Sequence, residues 1–192
     1  MGRNLLIIAC ALALLPPQAD ARVLLTREAA FAQVFGPRAQ VVARTVYLTP
    51  EQVTAVEQAA GAKLASARVV AYRGVLGDSL VGTAYLDTHP VRSQMETVMI
   101  VVTPQGKVGA VEVLAFNEPD DYLPPPRWLD RFDGRGLSKD LKPGLAVPSL
   151  SGATLTARAV SSAVRRTLAL HAALRVCRVC GYRYPVRDSI PV

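Results

Sequence analysis

Thr97-Val98-Met99-Ile100-Val101-Val102-Thr103, Pro104-Gln105-Gly106-Lys107 and Val108-Gly109-Ala110-Val111-Glu112-Val113-Leu114-Ala115-Phe116 run consecutively and set the architecture. The outer two pieces are rich in Val and other β-formers, and a Pro-Gly turn separates them. A turn that short joins antiparallel neighbours, so the stretch predicts a hairpin.

Working outward, two more Val- and Tyr-rich segments precede the hairpin, Ala67–Arg73 and Leu80–Asp87, and a further strand is expected over Val41–Leu48. Thr49-Pro50-Glu51-Gln52 opens a helix with a Thr cap, Pro at the first helical position and Gln three residues on; it runs to about Ala60 and stops at Gly61. A shorter helix is expected over residues 27–35, capped by Thr26 and stopped by Gly36-Pro37. After the hairpin come a loop from Pro119 to Pro126, a helical turn from Arg127 to Phe132, and an irregular segment from Lys139 to Leu150. A long helix then runs from near Ala153 to about Ala172. In that helix Val160, Ala163, Val164, Thr167, Leu168 and His171 recur at spacings of three and four, which puts them on one core-facing stripe. Consecutive strands with flanking helices predict a single α+β domain: an antiparallel sheet flanked by helices, a long C-terminal helix and a short irregular tail.

Arg3, the apolar run Leu5–Leu15, Pro16-Pro17 and Ala19-Asp20-Ala21 have the order of a secretory signal peptide. The expected division is a cleaved signal peptide over 1–21, an N-terminal helix and strand part over 22–79, a core over 80–172 and a Cys-containing tail over 173–192. Export makes the location periplasmic or otherwise extracytoplasmic. The chain is basic, with 22 Lys and Arg against 15 Asp and Glu. Export argues against nucleic acid as the partner. The basic residues of the last third (Arg158, Arg165, Arg166, Arg175, Arg178, Arg183, Arg187) read either as a solvated surface or as a docking face for an acidic redox partner or for lipid head groups.

Ser151-Gly152-Ala153-Thr154-Leu155-Thr156 is a loop that opens the long helix. Gly152 allows close backbone approach and Ser151 can cap. Free first-turn N–H groups and the positive end of the dipole favour an anion there, beside the hydroxyls of Thr154 and Thr156. Ser-Gly-x-Thr also starts many helices that hold no ligand.

Ser151 to Thr156, followed by Arg158-Ala159-Val160, resembles the flavinylation motif of the FMN-binding domain family. That family includes flavin-bearing periplasmic subunits of the Rnf complex and of the sodium-translocating NADH:quinone reductase. Upstream, the hairpin with Gly106-Lys107-Val108 at its turn, Glu118-Pro119, and Trp128-Leu129 with Phe132 and Gly134 are similar to the same family, so the likeness covers about residues 80–170. Two positions depart from it. Pro148 stands where the longer motif has an Asp, and Asp120-Asp121-Tyr122-Leu123 replaces a Gly-Leu-Gly.

The resemblance implies FMN as cofactor, esterified through its phosphate to Thr154 by a flavin transferase. Ser151, Gly152, Ala153, Leu155 and Thr156 would surround the attachment, with Glu118 and Trp128 near the ring and Tyr122 and Phe132 as further stacking candidates. It implies an electron carrier subunit more than a stand-alone enzyme, working with redox partners at or near the membrane. The alternatives are an exported, flavin-free module that binds another anion or a protein, and a flavin reductase with its own substrate.

Cys177-Arg178-Val179-Cys180-Gly181-Tyr182-Arg183-Tyr184-Pro185 resembles one half of a rubredoxin iron site, without a second C-x-x-C. A disulfide, a reactive redox pair and a metal shared between chains are all open for Cys177 and Cys180, with His171 as a third candidate ligand. His89, before Pro90, has no partner that the sequence identifies. There is no Gly-x-Ser-x-Gly, Walker-type or dinucleotide-binding motif.

Overall fold

The computed structural model describes residues 22–175. The expected signal peptide and the Cys177–Cys180 tail lie outside the described residues. Five strands, β1 (Gln40–Tyr47), β2 (Arg68–Leu76), β3 (Ser79–Pro90), β4 (Met95–Val102) and β5 (Val108–Phe116), form one sheet in the order β1-β2-β3-β4-β5. All neighbouring pairs are antiparallel. The α+β expectation holds. Helices are α1 (Arg27–Phe35), α2 (Pro50–Ala60), the single turn α3 (Pro126–Leu129) and α4 (Thr154–Leu174). Among the described residues, no helix is long and apolar enough to cross a membrane.

Local chemistry explains the helix ends. Thr49 accepts from the Gln52 N–H while the Gln52 side chain accepts from the Thr49 N–H, and Gly61 closes α2 in the left-handed region at φ +62°. Thr26 caps α1 by accepting from the Ala29 N–H.

The helices divide between the two faces of the sheet. On one face α2 and α4 cover Tyr85, Val98, Ile100, Val102, Val108 and Val111. The stripe expected on α4, from Val160 to His171, is buried there. On the other face α1 sets Phe31 and Phe35 against Ala84, Met99, Val101 and Leu114. The Phe35 ring lies so close to β2 that a Cβ placed on Gly74 would stand 2.4 Å from it.

β3 runs past the expected end at Asp87 through Thr88, His89 and Pro90. Pro90 is tolerated because it pairs with Met95 at the hairpin end, where the strand finishes. The extension puts Tyr85, Asp87 and His89 at alternate positions, on the face beneath α4.

Candidate functional site

The start of α4 is built to leave its first turn open. Gly152 has φ +80°, which only glycine adopts readily, and it turns the chain into the helix. Ala153 occupies the cap position and no side chain caps the helix. The expected cap from Ser151 is therefore absent, because Ser151 lies two residues before the cap position, ahead of the Gly152 turn. The first backbone bond of the helix runs from the Ala157 N–H to the Ala153 carbonyl, so the N–H groups of Thr154, Leu155 and Thr156 are the open donors of the turn.

The two hydroxyls of this turn differ. Thr154 is exposed, whereas Thr156 is 1% exposed. Thr156 Oγ1 has no hydrogen-bond partner among the described residues. Ala153 is buried and Leu155 is exposed.

The other expected residues serve the surrounding frame. Trp128 is buried, meets Phe132 edge-on, and donates from Nε1 to the Pro148 carbonyl at 2.8 Å. It thereby fixes the loop that leads into Ser151. Phe132 is fully buried. Glu118 is buried and accepts on Oε1 from three successive backbone N–H groups: Arg92 at 3.1 Å, Ser93 at 2.7 Å and Gln94 at 2.9 Å. These bonds lower the pKa of its carboxyl. Glu118 thus clasps the β3–β4 loop. Tyr122 is half-buried with the Arg92 guanidinium over its ring, 5.1 Å from the centroid.

A second cluster, which the sequence reading missed, lies between sheet and α4. Asp87 accepts from Arg166 Nη2 at 2.7 Å and Nε at 3.0 Å. His89 joins Asp87 through Nδ1 at 2.8 Å and Glu96 through Nε2 at 3.2 Å. Glu96 is fully buried, and its Oε1 has no partner among the described residues. The available signal was alternation: continuing the strand two residues past Asp87 puts His89 on the same face. Burial opposes the charge on His89, but Asp87 and Glu96 outweigh it and raise the imidazole to about 8. Burial also raises Glu96. For Asp87 burial is outweighed by His89 and Arg166, and its pKa falls.

A rise from 6.5 to about 8 at His89 corresponds to about 2 kcal/mol of stability. The folded chain keeps a proton there that the unfolded chain loses, so this stability is present below pH 6.5 and lost as pH rises through 8. Glu96 is raised too, and its own contribution is lost as pH rises through its folded pKa. Urea midpoints should fall between pH 6 and pH 9, and His89→Gln should flatten the fall; equal losses in both proteins would contradict the assignment.

The basic residues of the last third do not form one outer face. Arg166 is paired internally, and the buried Arg165 donates to the carbonyls of Ala60 at 2.9 Å and Leu141 at 3.0 Å. Arg158 is exposed. His171 is buried, with Nδ1 2.9 Å from the Tyr85 hydroxyl, and burial lowers it to about 4. Among the described residues no group of three His, Cys, Asp or Glu side chains is placed to hold a metal.

Comparison with known proteins adds one match. Residues 93–169 match the model of the FMN-binding domain, so the matched region begins at the β3–β4 loop and ends inside α4. FMN is the cofactor this indicates. No curated protein matches the chain.

Proposed function

We propose that this chain, whose residues 93–169 match the FMN-binding domain, carries FMN as a phosphoester of Thr154 and passes electrons outside the cytoplasm. One observation carries the attachment site: Thr154 offers an exposed hydroxyl on an uncapped, glycine-turned helix start, while the neighbouring Thr156 hydroxyl is sealed. The residues suit the group. The open N–H donors of Thr154, Leu155 and Thr156 and the helix dipole favour a phosphodiester without any lysine. Bound FMN supplies the electron-accepting ring. The chain supplies the anchor and the frame, with Trp128 and Pro148 holding the entry loop and Glu118 holding the β3–β4 loop.

Attachment consumes FAD. The Thr154 Oγ1–phosphorus bond forms, the pyrophosphate bond breaks, AMP leaves, and the hydroxyl proton passes to solvent. A Mg-dependent flavin transferase is the partner for this step, and donor and acceptor proteins at or near the membrane are the partners for electron flow. The leader-like segment over residues 1–21 supports an extracytoplasmic setting.

The test is intact mass after co-expression with a flavin transferase. Wild type and Thr156→Ala should gain one FMN adduct and a yellow colour, and Thr154→Ala should gain neither. An adduct that survives Thr154→Ala moves the site elsewhere. A wild-type chain that stays colourless and unmodified leaves a flavin-free module as the better account.

A further inference from the structure

β2 and β3 separate along part of their length. Their pairing stops at Tyr72 with Ala84, so the strands part between Arg68–Ala71 and Tyr85–Pro90. The gap forms a crevice of about 240 Å³, with Asp87, Tyr85 and Arg166 in its lining. Asp87 therefore stands between this opening and the buried pair His89 and Glu96, which face each other across β3 and β4.

The hydrogen bonds fix how many protons this line holds at rest. One proton between Asp87 and His89 and one between His89 and Glu96 satisfy both contacts. Removing either leaves two lone pairs facing each other at 2.8 or 3.2 Å. With both in place the line is neutral, Arg166 and His89 balancing Asp87 and Glu96. Every oxygen of Asp87 and Oε2 of Glu96 are then engaged. A further proton has one place left, the unpartnered Oε1 of Glu96. The charged and titratable groups that meet this line are Asp87 and His89 from β3, Glu96 from β4 and Arg166 from α4.

The line points toward the start of α4. His171 meets Tyr85 and Arg166 meets Asp87, so moving toward the N-terminus of α4 follows β3 from Tyr85 through Asp87 to His89. The helix covers about 18 Å from Arg166 to Thr154 at 1.5 Å per residue. His89 lies one strand repeat nearer that end, which leaves the pair about 10 Å short of it along the sheet. A negative charge at about 10 Å strengthens proton binding roughly tenfold, so the coupling requires the ring to reach from its anchor toward the pair.

We propose that Glu96, fed through Asp87 and His89 from the crevice between β2 and β3, is a redox-linked proton site that loads when the domain's flavin is reduced. The proposal rests on flavin being held at Thr154. Two electrons come from the donor protein and two protons from water; one proton ends on the ring and one on Glu96. Oxidation passes both electrons to the acceptor protein and releases both protons to water, the second by the same line. His89 and Asp87 act as positioning and relay groups, and Glu96 holds the proton.

The experiment uses flavin-loaded full chain, with loading confirmed first by intact mass. Midpoint potentials are measured from pH 6 to 8 for wild type, Glu96→Gln and His89→Gln. Loss of one proton from a two-electron couple removes a tenfold change in equilibrium constant per pH unit, about 30 mV. A tenfold strengthening takes up at most about half a proton, so the wild-type slope should exceed that of both variants by up to about 15 mV per pH unit, greatest near the Glu96 pKa. Reduction-minus-oxidation infrared spectra of wild type should gain a protonated-carboxyl band that Glu96→Gln lacks, a readout that survives if either variant folds poorly. Equal slopes, or no such band in the loaded wild type, overturn the proton site. Absence of the adduct itself overturns the attachment reading instead.

Discussion

Asp87→Ala should lower the unfolding free energy by about 3–5 kcal/mol, the range for removing one partner of a buried ion pair. The Asp87 carboxylate accepts two bonds from Arg166 and one from His89, and the Arg166 and Asp87 side chains are only 14% and 17% exposed. Without the carboxylate a guanidinium is left under α4 with the Ser162 hydroxyl as its remaining partner at 3.3 Å. The His89 Nδ1 loses its partner too. Because most of the loss comes from the stranded charge, Asp87→Ala with Arg166→Met should recover a large part of it. Urea midpoints of the two single variants and the double variant measure this directly. Simple additivity of the single losses would show that the pair does not act as a unit.

Gly74→Ala should cost about 3 kcal/mol, the upper part of the range for overpacking a filled core. The added methyl would stand 2.4 to 2.7 Å from three carbons of the Phe35 ring, and the ring is hemmed in as well at Gly82, whose Cβ would come within 3.4 Å of it. Neither β2 nor α1 yields cheaply: β2 pairs on both sides here and α1 is held by Phe31 and Phe35. Phe35→Leu removes the ring atoms that the methyl strikes, so the double variant should be more stable than Gly74→Ala alone. If Gly74→Ala melts with wild type, the close approach of Phe35 is not what fixes α1 on the sheet.

The sequence carried the regular elements well, because their signals are local. The Thr49 capping box, the Pro104–Lys107 turn and the spacing along α4 each act within a few residues, and each appears where expected. The family likeness rested on the short Ser151–Thr156 segment, and the matched region encloses it. What stayed hidden depends on distant contacts. Glu118 looked like a residue for a ligand's polar edge or for solvent, yet it satisfies three amides of a loop about 25 residues earlier. Arg165 and Arg166 counted as surface charge until the sheet beneath α4 gave them carbonyls and a carboxylate. His89 had no visible partner because Glu96 reaches it only when β4 folds back in register.

Five strands that neighbour one another in chain order leave few long loops to close, a topology that favours quick assembly. Each hairpin can zip onto the one before it. The last helix must wait, since its apolar stripe has nothing to lie on until the central strands are joined. The proposed acceptor at its start, Thr154, is therefore presented in its helical setting only once α4 has docked. On that proposal, loading favours finished domains over chains whose last helix is not yet in place.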